Sequence, residues 1–347
     1  MNSAAAITRR YAAIWLLTIG LFLLMARGAQ AATTFTVSFT NDDSGQFAAY
    51  YPSITSNVLA AAQTWLQYFP PTDTTIAIEI QFTDDTTASC SSQTSSYVDT
   101  INGIDIFEQA ATTKIRTGLD QNDDLPDIVM QLGTNYLVQD LWFDPNPLAR
   151  VNLVPSDKTD AMSVFIHELC HAWAFSGWID QFDGTFPGDF ESTFDEWTRF
   201  DGTNFFFVGP EAEAIYGSPV PLTYGNVFHV GNESPGPGSE LLPDLMNGVV
   251  FYKGQRYYIS SLDLAMCADA GVPVTNPPVT LSQPQWLNGT FAFNIACPFG
   301  RALRVDFSTN LVNWAVLENF VTTNVTMAVN DPSAVSSRTR FYRVALP

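Results

Sequence analysis

The residues of this chain whose types and spacing point most directly to chemistry lie in Phe165-Ile166-His167-Glu168-Leu169-Cys170-His171, two histidines four apart with a glutamate between them. On a helix, side chains four apart stand one turn above each other, so both imidazoles can reach one ion. Zn²⁺ suits such nitrogen ligands, and with three protein ligands it keeps an open position for water. Water bound there has a pKa near about 7, which makes hydroxide available at neutral pH. Glu168 is not a ligand in this scheme; it accepts the water proton and delivers it to a leaving amine. The bland alternative is an ordinary amphipathic helix that happens to carry these residues. The chain holds only 3 histidines, and two of them flank a glutamate in this pattern, which favours the metal.

A third ligand has two candidates. His229 is the one remaining histidine, 58 residues beyond His171. Glu191 lies 20 residues after His171, with Asp195 four further on, a spacing similar to the gluzincin pattern, in which a second helix supplies a glutamate. The stretch before it, Phe182 to Phe190, reads as loop rather than helix. His229 is preferred because neutral imidazole suits zinc.

Three segments together resemble the metzincin peptidases, and within them the leishmanolysin-like type: His167–Ser176, His229 ahead of Asp244-Leu245-Met246-Asn247, and Ile259–Gly271. Most metzincins continue the motif as H-x-x-G-x-x-H; here Ala174 and Gly177 hold the last two positions, so the compact form is absent. The leishmanolysin-like group places a long insertion before its third histidine. The resemblance covers roughly residues 33–273 and implies that His229 completes the ligand set. It also implies that Met246 sits in a Met-turn beneath the metal, and that the activity is endopeptidase. Ala174 in place of the usual glycine leaves the exit path of the helix open.

These residues need elements to position them. The helix carrying the pair is predicted to begin at Ser156 or Thr159, to run to about Ser176, and to stop at Gly177. Before it, strand-like alternation at Phe35, Val37 and Phe39, helical spacing from Ser53 to Phe69, and alternation from Ile76 to Phe82 follow one another. A helix from Ile104 to Thr117 and a strand from Ile128 to Leu132 complete a β-α-β-α-β order, predicting a mixed sheet covered by helices. Between Trp178 and Pro243 loops are expected, with a hairpin pairing Glu196–Arg199 and Asn204–Val208 across Asp201-Gly202. A capping box at Ser260-Ser261-Leu262-Asp263 opens a last helix, ended by Gly271.

The flanks read differently. Arg9 and Arg10, an apolar run from Tyr11 to Met25 and Ala29-Gln30-Ala31 make residues 1–31 a signal peptide, implying export to a secreted, periplasmic or cell-surface location. Residues 32–274 form the catalytic domain and 275–347 a small β-sandwich domain, with short runs separated by turn residues. This tail, with Phe307–Leu311, Asn313-Trp314 and Arg340–Val344, resembles a C-terminal β-module of secreted bacterial proteins. Without residues 1–31 the chain has 12 basic against 35 acidic residues, or −23. That field excludes nucleic acid and anionic membranes as partners. Asp120-Gln121-Asn122-Asp123-Asp124 invites Ca²⁺ but lacks the spaced loop pattern, so a plain turn is preferred. Cys90, Cys170, Cys267 and Cys297 permit up to two disulfides, and Cys170 could meet Cys267 behind the active-site helix. Tyr224, Tyr252, Tyr257 and Tyr258 are oxyanion candidates, for which aromatic packing is the commoner role.

The expectation is therefore an α+β, metzincin-like zinc endopeptidase acting on protein or peptide, followed by an all-β domain. Its alternatives are a gluzincin-type site using Glu191 and a non-catalytic zinc-containing surface binding protein.

Overall fold

The structure is a computed structural model describing residues 32–275, 279–287, 289–298, 301–322 and 326–345. The signal-peptide reading of residues 1–31 and most of the linker at Thr275–Pro278 fall outside these. The fold is of the α+β kind, mixing helices with several small sheets.

Strand β1 (Thr33–Thr40) leads into helix α1 (Tyr51–Leu66), which has Pro52 in its first turn. Its buried stripe of Ile54, Val58, Ala62 and Trp65 recurs at helical spacing and faces the core. Strands β2 (Thr74–Thr83), β3 (Ala88–Ser92), β4 (Ser95–Ile101) and β5 (Ile104–Gln109) follow, then α2 (Ala110–Thr117) and β6 (Ile128–Gly133). The principal sheet has the order β1-β2-β6-β3, parallel except for the antiparallel edge strand β3.

The helix expected from Ile104 to Thr117 is half strand. Asn102 and Gly103 both have positive φ, +54° and +88°, and turn β4 back onto β5 with Ile101 opposite Ile104. An Asn-Gly pair of this conformation is the preferred two-residue hairpin turn, and it commits Ile104–Gln109 to pairing before α2 can start.

Helix α3 (Thr134–Gln139) and the short strands β7 (Leu141–Trp142) and β8 (Thr159–Asp160) bring the chain to α4 (Ala161–Trp173), the helix of the histidine pair. Neither Ser156 nor Thr159 caps it. Pairing of β8 with β7 keeps Thr159 and Asp160 extended, and the buried Asp160 carboxylate accepts from Ser163 N at 3.1 Å and Ser163 Oγ at 2.6 Å. Nor does α4 run to Ser176. Ala174 leaves the helical region at φ −149°, while Thr112 Oγ1 donates to the otherwise orphaned Trp173 carbonyl at 2.6 Å.

Beyond α4 come β9 (Phe190–Ser192), β10 (Thr198–Phe200), β11 (Phe205–Phe207), α5 (Pro210–Tyr216), β12 (Val220–Thr223) and β13 (Asn226–Val230). The hairpin β10–β11 forms across Asp201-Gly202 as expected, whereas α5 and the hairpin β12–β13 lie where loops were predicted. Asp195 organises the start of this stretch, accepting from Trp178 N at 2.8 Å, Ser192 N at 3.0 Å and Ile179 N at 3.4 Å. A Cβ at Gly177 would collide with that carboxylate, so the glycine serves this contact rather than the helix end.

Helix α6 (Ser261–Asp269) opens with the expected capping box: Ser260 Oγ accepts from Asp263 N at 3.0 Å and Asp263 Oδ2 from Ser260 N at 2.7 Å. Cys170 of α4 and Cys267 of α6 touch as free thiols, Sγ to Sγ 3.7 Å, and Cys90 and Cys297 are free as well. The remaining strands β14 (Thr280–Leu287), β15 (Thr290–Ala296), β16 (Ala302–Ser308), β17 (Ala315–Val321), β18 (Thr326–Asp331) and β19 (Phe341–Ala345) form two three-stranded sheets, β14-β15-β18 and β17-β16-β19. Phe293, Ile295, Leu303, Val305 and Val329 make a core of their own between them. Among the described residues no helix is long and apolar enough to cross a membrane.

Candidate metal centre

Two elements of different kinds supply the three histidines. Helix α4 puts His167 and His171 on one face, and its other faces are held in the core, where Trp65 Nε1 donates to the Ile166 carbonyl at 2.9 Å. His229 arrives on β13, whose hairpin with β12 turns at Tyr224-Gly225, where Gly225 has φ +74°. The Nε2 atoms converge: His167 to His171 3.2 Å, His167 to His229 3.1 Å, His171 to His229 3.1 Å.

Each ring is held by its other nitrogen. His167 Nδ1 faces the Leu245 carbonyl at 2.7 Å, His171 Nδ1 the Phe175 carbonyl at 2.7 Å, and His229 Nδ1 the Asn226 carbonyl at 3.3 Å. A carbonyl only accepts, so each Nδ1 carries the proton and each Nε2 presents a lone pair. Three lone pairs at this distance cannot hydrogen-bond to one another; the arrangement suits a cation between them. Burial drives the His167 pKa down to about 3, with the His171 charge adding to it, and it also lowers His171 and, still further, His229. All three are neutral at physiological pH and could hold a metal ion. Tetrahedral zinc with bonds of about 2.0–2.1 Å needs nitrogens about 3.3–3.4 Å apart, so the set fits within a few tenths of an ångström.

The segment Asp244–Asn247 links the two suppliers. Met246 N donates to Asp244 Oδ1 at 3.0 Å, the Leu245 carbonyl holds His167, and the Met246 carbonyl accepts from Val230 N at 2.8 Å, next to His229. Met246 itself is fully buried in this turn. A Cβ on Gly248 would stand 2.6 Å from His229 Cβ and 2.6 Å from Thr223 Oγ1, so glycine is what lets the segment pass so close. Sequence reasoning missed Leu245, Phe175 and Asn226 because they act through backbone carbonyls, which no residue type advertises. Gly248 was open to notice as the glycine just after Met246-Asn247.

A cleft of about 510 Å³ opens over the histidines, lined by Ala88, Ser89 and Cys90 of β3 on one side and by Asn247, Val249 and Phe251 among others. Phe175 and Phe228 also face it, and Phe251 meets the His167 ring edge-on at 5.1 Å. Glu168 lines the same cleft, and burial pushes its pKa up to about 8.

Glu191, the rival ligand, is not brought to this centre. It lies on β9 opposite Ile106 of β5 and does not line the cleft. Asp195 is consumed by backbone amides. Neither Tyr224, Tyr252, Tyr257 nor Tyr258 lines the cleft: Tyr257 Oη accepts from Tyr252 N at 2.9 Å, and Tyr258 packs under the Arg150 guanidinium. In the acidic run, Asp120 pairs with Lys114 at 2.6 Å and Asn122 Nδ2 donates to Asp127 at 3.1 Å, a hydrogen-bonded turn rather than a cation loop. Among the described residues, the histidine triad is the group with metal-binding spacing.

Neither family models, nor curated proteins, nor solved structures yield a match to this chain.

Proposed function

We propose that the protein is a zinc-dependent endopeptidase of metzincin-like type, exported by residues 1–31, with residues 275–347 as an accessory β-domain. The observation that carries this reading is the convergence of three lone-pair-bearing Nε2 atoms beside a buried carboxylate at the floor of an open cleft. His167, His171 and His229 would hold the ion, their tautomers set by the carbonyls of Leu245, Phe175 and Asn226. Zn²⁺ bound there supplies a Lewis acid and a water that ionises near neutral pH. Glu168, which lines the same cleft as the three histidines, would hold and return the proton. The cleft walls, apolar at Phe175, Phe228 and Phe251, exclude water from an extended peptide laid across them.

The test is cleavage of casein and of a mixed peptide library by the purified full chain, beside chelator-treated protein and the Glu168→Ala variant. Chelation should abolish cleavage, and Glu168→Ala should reduce it about 10²–10⁴-fold while retaining zinc. His229→Ala should lose zinc and Glu191→Ala keep it; the reverse would establish the gluzincin-type site. A folded, zinc-loaded wild type that cuts nothing would favour a non-catalytic binding protein. Equal cutting by Glu168→Ala would refute the mechanism.

A further inference from the structure

Behind the metal centre two acids face each other. The Asp263 side chain is buried, at 1% exposure, and its two oxygens differ. Oδ2 accepts from Ser260 N in the cap of α6, whereas Oδ1 is sealed from solvent with no N–H or O–H donor in reach. The Asp244 carboxyl is within side-chain hydrogen-bonding reach of Asp263. Asp244 has work of its own, since its Oδ1 takes the Met246 amide at 3.0 Å and so shapes the turn that presents the Leu245 carbonyl to His167.

Two carboxylates in contact repel when both are ionised; one proton between them turns repulsion into a hydrogen bond. We propose that Asp263 keeps its proton at neutral pH and donates it from Oδ1 to Asp244, and that this acid–carboxylate link is a positioning device for the metal ligand His167. The role toward His167 rests on the metal reading above; the protonated pair does not.

The surroundings favour the protonated form. Burial raises the Asp263 pKa well above the carboxylate range, and the Asp244 charge and hydrogen bond act in the same direction. The other groups facing Asp263 are Cys267 on its own helix, Cys170 on α4 and Tyr68. Asp244 borders a cavity of about 340 Å³ shared with Arg256 and Arg301, which gives the pair a route for proton exchange. From Asp244 the link reaches His167 through Leu245, and Val230, the neighbour of His229, through the Met246–Val230 hydrogen bond.

The sign of the pH effect follows. Asp263 binds its proton more tightly folded than unfolded, so the link is intact at low pH and weakens as pH rises toward the raised pKa. The experiment measures Zn²⁺ affinity of the full chain by chelator competition from about pH 6 to about pH 10, for wild type, Asp263→Asn and Asp263→Ala. Asparagine donates to Asp244 without a proton to lose. Asp263→Asn should match wild type near neutrality and bind Zn²⁺ about tenfold more tightly than wild type at the alkaline end, whereas Asp263→Ala should be about tenfold weaker near neutrality. Taking the ratio to wild type cancels the titration of the histidines. A flat Asp263→Asn ratio across pH, or Asp263→Asn as weak as Asp263→Ala, would overturn the positioning role. Infrared spectroscopy reads the proton directly: the wild type minus Asp263→Asn difference spectrum at neutral pH should hold a protonated carboxyl C=O stretch, and its absence from that difference would overturn the protonated pair. If no chain binds Zn²⁺ while that band is present, the metal reading and the positioning role fall and the protonated pair stands.

Discussion

The helix α4 and the hairpin β12–β13 reach the same point by opposite means. Helix α4 delivers His167 and His171 through a local rule, the rise of one turn in four residues, and needs the core only to keep it in place. Trp65, Phe165 and Trp173 are buried around it, and Thr112 closes its last turn. The hairpin delivers His229 by long-range backbone pairing: Leu222 with Val230, Val230 with Met246, and Gly248 pressed against His229. The histidine pair is secured by burial and the third histidine by register. Damage to the first should therefore appear as lost stability, and damage to the second as lost metal affinity in a chain that still folds.

The largest effect is expected on the helical side. Trp65→Ala removes a fully buried ring and the hydrogen bond to Ile166, and should destabilise the fold by about 3–5 kcal/mol, measured by denaturant unfolding. On the hairpin side, Gly248→Ala should weaken Zn²⁺ about 10- to 100-fold in chelator competition while the unfolding midpoint moves far less than for Trp65→Ala. Comparable losses of stability in the two variants would erase the distinction. The smallest effect concerns α2, which braces α4 from behind. The hydrogen bond from Lys114 lowers the Asp120 pKa below its ordinary 3.8. The stability it contributes is present above that value and is lost as pH falls through the lowered one. Asp120 is 40% exposed, so solvent screening keeps the contribution under about 1 kcal/mol. Asp120→Asn should cost that amount at neutral pH, with the gap to wild type closing as the pH drops below about 4. A gap that widens in acid would show that the ion pair is not what α2 contributes.

How much was legible in the sequence follows the same division. The pair in α4, the alternation of β1, β2 and β6, and the Ser260–Asp263 capping box are local patterns, and each is found where the sequence places it. His229 could be selected by elimination and by resemblance, but the hairpin that carries it could not be seen, because Val220–Val230 holds no alternation strong enough to outrank the surrounding Gly and Pro. Strand β3, Ala-Ser-Cys-Ser-Ser, has no apolar face to betray it and exists because β6 offers a free edge. Ile104–Gln109 reads as helix in the sequence because the helical spacing of the residues after it runs on backward to the Asn-Gly turn, which instead folds it into a strand. The cap of α4 goes to Asp160 rather than Ser156 or Thr159 because Arg150, 10 residues earlier, compensates a buried carboxylate there at 2.9 Å.

The amides gathered by Asp195 bear on how such a site tolerates change. By binding Trp178, Ile179 and Ser192 through one carboxylate, the chain closes the first part of the interval into a ring of its own, while Val230, beside His229, is moored on the far side to Met246. The 58-residue interval is thus an arch with footings at both ends rather than a tether whose length sets where the ligand lands. Doubling a flexible loop costs only about 0.6 kcal/mol of closure entropy. The span between His171 and His229 is accordingly the part of this molecule where length is cheapest to change.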